Sequence, residues 1–111
     1  MPVYIVDSIR TPLITPHRSF KQITAVDLSA VIIKAFIARQ LLKMDSIDNV
    51  IIGNVVSSGM GQNIARQAVL QSGLSEKTPA HVIDYVCGSG LQALISGVQS
   101  LKSSDADLIM S

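Results

Sequence analysis

Apolar positions along the chain gather into short blocks separated by polar, glycine or proline stretches, and the period changes from block to block. Val3 to Val6 is an apolar run rich in β-branched residues and predicts a buried strand. A loop follows from Arg10-Thr11-Pro12 through Pro16-His17-Arg18. Thr24-Ala25-Val26-Asp27 has the spacing of a capping box, with Asp where Glu or Gln is usual, and opens a largely buried helix to about Lys43. Asn49 to Gly53 predicts a second strand with a glycine stop. Ser57 to Gln62 is a flexible loop. Asn63 caps a helix through Ala65, Ala68 and Val69 to Ser72, with Gly73 just past its end. Ala80 to Tyr85 predicts a third strand. Leu91, Leu94, Ile95, Val98 and Leu101 recur at offsets of three and four and mark an amphipathic helix. After a turn at Asp105-Ala106-Asp107, Leu108 to Met110 begins a fourth strand. The order β-α-β-α-β-α-β implies an α/β layer fold with a mainly parallel sheet. The fourth strand ends at Ser111 without a polar tail, so the layer is expected to be incomplete at its C-terminus.

Composition sharpens this picture. A chain of 111 residues suits one domain, residues 1–111, able to bury about two-thirds of its unfolded surface. Apolar residues make up 48% and charged residues only 15%, with a mean hydropathy of +0.42. So apolar a surface is expected to meet a partner or a further part of the same chain. The net charge of +1 and the absence of a basic tract leave no electrostatic footprint for nucleic acid. The most apolar stretch, Val26 to Leu42, is broken by Asp27, Lys34 and Arg39, so a buried helix is expected and not a membrane span. The start of the chain lacks the basic region of a signal peptide. The single cysteine excludes an internal disulfide and a multi-cysteine zinc site, and fits a reducing, cytoplasmic compartment.

That cysteine, Cys87, is the main candidate for chemistry. It stands between the third strand and the Gly88-Ser89-Gly90 turn that opens the amphipathic helix. A helix N-terminus favours an ionised sulfur, and free N–H groups of the first turn suit an oxyanion. Small residues around the sulfur permit close approach of a substrate. Free cysteines are also commonly small buried hydrophobes, so the residues themselves leave nucleophile and core cysteine both open. His81 lies six residues before Cys87, roughly 20 Å away along an extended strand, and His17 sits in a polar loop; neither is expected to pair with it. No metal set is expected. Gly59-Met60-Gly61 lacks the Lys-Ser/Thr of a phosphate loop and reads as a turn. Arg66 and Gln67 face either a loop or a partner or, by default, solvent.

Taken in order, four blocks resemble the thiolase family. Val86-Cys87-Gly88-Ser89-Gly90-Leu91-Gln92-Ala93 resembles its nucleophile segment. Ile5-Val6-Asp7-Ser8-Ile9-Arg10-Thr11-Pro12 resembles its first strand and loop. Gly53-Asn54-Val55 with Gly61-Gln62-Asn63-Ile64-Ala65-Arg66-Gln67-Ala68 resembles its second strand and helix. Asp105 to Met110 resembles the strand after the cysteine helix. The resemblance implies a thiolase-like layer belonging to the first part of an N-terminal half. It implies Cys87 as the acyl-accepting nucleophile, with its backbone N–H in an oxyanion hole, and Gly88, Ser89 and Gly90 as the turn that admits substrate. It further implies reversible Claisen chemistry on coenzyme A thioesters without a bound cofactor, and a homo-oligomer. The activating histidine and a second cysteine would come from a C-terminal part or a companion chain. Two departures stand out. Leu13-Ile14-Thr15-Pro16 replaces a glycine-rich stretch, and Asp84 replaces the usual Asn, putting a carboxylate where it disfavours a thiolate. A catalytically incompetent fragment acting as an association module is the rival expectation.

Overall fold

The computed structural model describes residues 1–39 and 45–111. Helix α1 (Ala25–Ala38) is followed by strand β1 (Asn49–Gly53), helix α2 (Ile64–Ser72), strand β2 (Ala80–Ile83), helix α3 (Ser89–Lys102) and strand β3 (Ile109–Met110). The three strands form one parallel sheet in the order β2-β1-β3. Val50 pairs with Ala80 and Gly53 with Ile83 on one side, and Val50 pairs with Met110 on the other. Side chains alternate across a strand, so β1 feeds two cores. Val50 joins Val26 and Ile33 of α1, Ile64, Ala68 and Val69 of α2, and Leu74 in one buried cluster. Ile51, fully buried, and Gly53 face the other way, where α3 lies.

Local chemistry sets the helix ends as the sequence predicts. Thr24 Oγ1 accepts from Asp27 N–H and Asp27 Oδ2 accepts from Thr24 N–H, both at 3.0 Å, closing the capping box. Asp27 Oδ1 also accepts from Gln71 Nε2 at 2.8 Å and ties α1 to α2. Asn63 Oδ1 accepts from Arg66 N–H at 3.0 Å, and Gly73 ends α2 in the left-handed region at φ 81°. The expected run of α1 on to Lys43 reaches residues outside those described.

One expectation is corrected. Val3–Val6 is not a strand: it pairs with none of the three strands, and Tyr4, Ile5 and Val6 are 72–78% exposed. A strand needs a neighbour to take its hydrogen bonds, and β-propensity alone supplies none. The segment is tethered by Asp7, whose carboxylate pairs with the Arg39 guanidinium at the end of α1. That guanidinium, helped by the Ser8 N–H, holds the Asp7 carboxyl below its ordinary value. Helix α3 forms as its spacing predicts but packs by its small residues. Its buried residues are Ser89, Ala93 and Gly97, whereas Leu91, Leu94 and Ile95 are exposed. Small residues let the helix lie close to the sheet; a Cβ on Gly97 would sit 3.0 Å from Ile109 Cγ2. The larger Leu91, Leu94 and Ile95 stay exposed, with Leu94 bordering the cavities beside β1 and β3.

The short β3 is pinned to β1 by Asp48, whose Oδ2 accepts from Asp107 N–H at 2.8 Å and Leu108 N–H at 3.0 Å. These two bonds, the Asp107 N–H first, lower the Asp48 carboxyl from its ordinary 3.8. A carboxyl lowered by folding contributes stability above its unfolded value and loses it as pH falls through the folded value. Thermal melting followed from pH 7 down to pH 2 is therefore expected to show an acid-sensitive component below about pH 4, reduced in Asp48→Asn, which keeps an acceptor but not the titration. An unchanged acid limb in that variant would assign the loss to other carboxylates.

Candidate active site

The site is built where β1 and β2 end and α3 begins. β2 stops at Ile83, two residues earlier than expected, because Asp84 and Tyr85 leave the ladder to form a turn. The last link across is Asn54 N–H to Ile83 C=O at 3.0 Å. Asp84 Oδ1 then accepts from Val86 N–H at 2.8 Å, a side-chain turn that Asp forms readily. Val86 itself is held at φ 51°, in the left-handed region. For a β-branched residue that conformation costs about 1–3 kcal/mol and persists only when neighbours enforce it. Further bonds close the turn: Gly88 N–H to Tyr85 C=O at 3.0 Å, Ser89 N–H to Val86 C=O at 3.1 Å, and Gln92 N–H to Gly88 C=O at 2.9 Å.

Cys87 follows the strained residue directly and is exposed. It is not a small hydrophobe of the core. Gly88 is the N-cap of α3, and a Cβ on Gly90 would meet nothing within 4 Å, so the approach beside the turn is open. Ser89 differs from both glycines. It is 3% exposed, and its hydroxyl is turned inward onto the backbone, accepting from Tyr85 N–H at 2.8 Å and donating to Val86 C=O at 2.6 Å.

The glycine that ends β1 fixes where this turn sits. A Cβ on Gly53 would lie 2.4 Å from Ser89 C, 2.5 Å from Gly90 N and 2.5 Å from Ser89 O. The backbone of α3 thus rests directly on the backbone of β1. Sequence reasoning reads Gly53 as a strand stop; its larger role is this close approach. The signal was present in a glycine at a strand end, but the helix it meets is 36 residues away in sequence and cannot be read locally.

The other candidates lie elsewhere. His81 is the second residue of β2, in register with Ile51 and exposed, while Cys87 lies beyond the opposite end of that strand. His17 is in a turn at φ 62°. Among the described residues no hydrogen bond joins either histidine to Cys87, and no group of three or more His, Cys, Asp or Glu side chains converges on a point. Gly59 and Gly61 both take positive φ, 78° and 83°, as a turn requires. Of the alternatives open for Arg66 and Gln67, the structure shows the loop. Arg66 Nη1 donates to Thr78 C=O at 3.1 Å, and Gln67 Nε2 donates to Met60 and Gln62 C=O, each at 2.8 Å, so the two side chains hold the loops flanking α2. A cavity of about 560 Å³ behind the turn is lined by Ile51, Gly53, Gly90 and Ala93 among others. Among the described residues no helix is long and apolar enough to cross a membrane.

Comparison with known proteins agrees with this geometry. The family profile for "Thiolase, N-terminal domain" matches residues 3–111. An acetyl-CoA acetyltransferase of Syntrophomonas wolfei is 39% identical over 108 residues, covering 97% of this chain and 27% of that relative. An acetyl-CoA acetyltransferase of Escherichia coli K12 is 40% identical over 106 residues, covering 96% and 27%. Among solved structures, the Acat5 thiolase of Ascaris suum, crystallised with coenzyme A, superposes with a TM-score of 0.74 at 38% identity, covering 78% of this chain and 23% of that one. The chain thus spans about a quarter of the length of the relatives it matches. With nearly its whole length matched by the family profile and its parallel layer superposing on a thiolase, this chain belongs to the thiolase family.

Proposed function

We propose that Cys87 is the acyl-accepting nucleophile of a thiolase-type acyltransferase acting on coenzyme A thioesters. The observation that carries this reading is the placement of the single cysteine: exposed, directly after a residue held in the left-handed region, at the start of a helix. Cys87 Sγ attacks the thioester carbonyl carbon, and a new S–C bond forms as negative charge moves to the carbonyl oxygen. The Cys87 N–H is the proposed donor to that oxygen. Collapse breaks the carbon–sulfur bond to coenzyme A, whose sulfur takes the proton that Cys87 gave to a base. The α-carbon of a second acetyl-CoA, once deprotonated, attacks the acyl-enzyme; a C–C bond forms and the Cys87 thiolate leaves. Run in reverse, coenzyme A cleaves a 3-ketoacyl-CoA. The base and the group that handles the α-proton are assigned to further polypeptide, a C-terminal part or a companion chain, because His17 and His81 lie away from Cys87.

A second reading has its own support. Tyr85, Val86 and Leu91 around the turn are 63–66% exposed, a surface suited to association, including with another copy of the chain. In that reading the chain is an incompetent fragment that acts through this surface. Rapid mixing with acetyl-CoA separates the two. The acyltransferase reading predicts a burst of free coenzyme A thiol equal to the protein concentration before slower turnover. The absence of both a thiol burst and acylated protein favours the association module.

A further inference from the structure

We infer that Ser89 is the positioning residue of the Cys87 turn, an assignment that rests on the acyl-transfer reading of Cys87. The Ser89 side chain is 3% exposed, so it does not line the approach to the sulfur. Its hydroxyl acts in both senses at once. It accepts from Tyr85 N–H at 2.8 Å and donates to Val86 C=O at 2.6 Å. These two groups bracket Val86, the residue at φ 51° whose backbone aims Cys87. Rotation at Val86 would swing the sulfur, and the hydroxyl closes that rotation from the inside.

The other end of the clasp is equally fixed. Ser89 C and O lie within 2.5 Å of where a Gly53 Cβ would be, so the serine backbone rests on the central strand. Ser89 therefore transfers the position of β1 to the turn through one hydroxyl group. Asp84 Oδ1 holds the peptide between Tyr85 and Val86 from outside by accepting from Val86 N–H at 2.8 Å. An alanine at 89 would fill nearly the same space but leave Tyr85 N–H and Val86 C=O without this partner. Those groups would then be free to turn, and the sulfur with them.

The test compares Ser89→Ala and Ser89→Thr in the protein as natively expressed. Acylation of Cys87 by acetyl-CoA needs the sulfur aligned with a bound carbonyl and is expected to fall about 100-fold in the alanine variant, with KM for acetyl-CoA unchanged. Labelling by iodoacetamide, which needs no bound alignment, stays near the wild-type rate. Amide exchange accelerates at Tyr85 and its neighbours in the turn, and threonine restores both acylation and protection. Wild-type acylation with unchanged Tyr85 exchange in Ser89→Ala overturns the assignment. So does acceleration spread through α3 and the sheet, which would make Ser89 only a support of the fold, and so does equal loss in both variants. If the wild-type protein is not acylated at all, the acyl-transfer reading falls; exchange confined to the turn in Ser89→Ala and reversed in Ser89→Thr still supports the clasp, and unchanged exchange still overturns it.

Discussion

Replacing Gly53 by alanine is expected to push α3 off the sheet and to disable Cys87 without touching it. The added Cβ would stand 2.4–2.5 Å from three backbone atoms of Ser89 and Gly90. Backbone cannot swing aside as a flexible side chain can, so the first turn of α3 must move or β1 must bend. Overpacking of this kind costs about 1–3 kcal/mol, and each kcal/mol lowers the melting temperature of a domain this size by about 4–8 °C. The same displacement moves the turn that carries Cys87, and misplacement on the order of 1 Å is enough to cost about 100-fold in acyl transfer. Gly90→Ala is the matched control, because a Cβ there meets nothing within 4 Å. Gly90 is the second residue of α3, where Ala is the better helix former by at most about 1 kcal/mol, so the variant's melting temperature is expected to hold or rise. If Gly90 borders the substrate approach as proposed, acylation falls in that variant while stability does not. Equal melting temperatures for Gly53→Ala and wild type would show that the helix does not rest on β1 as described.

Replacing Cys87 by serine is expected to abolish the chemistry with no loss of stability. Cys87 is exposed, so serine forfeits little apolar burial and the change in stability should stay within about 0.5 kcal/mol. A serine hydroxyl is a far weaker nucleophile than a thiol at neutral pH, because so little of it ionises there. Thiolysis of acetoacetyl-CoA by the assembled enzyme should fall on the order of 10⁴-fold or more, the scale seen when a covalent nucleophile is removed. Activity within tenfold of wild type would take Cys87 out of the mechanism.

What the sequence made legible was local. The capping box at Thr24 and Asp27, the Asn63 and Gly73 ends of α2, and the break before Gly88 all depend on residues three or four positions apart, and all form as read. β1 and its glycine end were legible for the same reason. What was not legible depends on partners distant in sequence. Val3–Val6 has the composition of a strand but pairs with none of the sheet's strands. The α3 stripe of Leu91, Leu94 and Ile95 has helical spacing, yet the face against the sheet is the small one, Ser89, Ala93 and Gly97. Hydrophobic periodicity ranks faces by apolarity; close approach of helix to strand selects for size, and the second requirement decided this face. At the site, the cysteine and its turn were found from the sequence. The inward hydroxyl of Ser89 was hidden because a serine between two glycines reads as one more small residue. The Asp84 side chain was read as a charge near the sulfur, whereas its oxygen is engaged in holding Val86 N–H.

Whether Cys87 forms a thioester beside the Asp84 side chain is the point on which the functional reading turns. Peptide mapping by mass spectrometry after brief exposure to acetyl-CoA and acid quench measures this directly. The account predicts one acetyl group, labile to hydroxylamine as a thioester is, on the peptide that contains Cys87. Acetylation found only on lysines, or an unmodified Cys87 peptide from protein that turns over substrate, would contradict it.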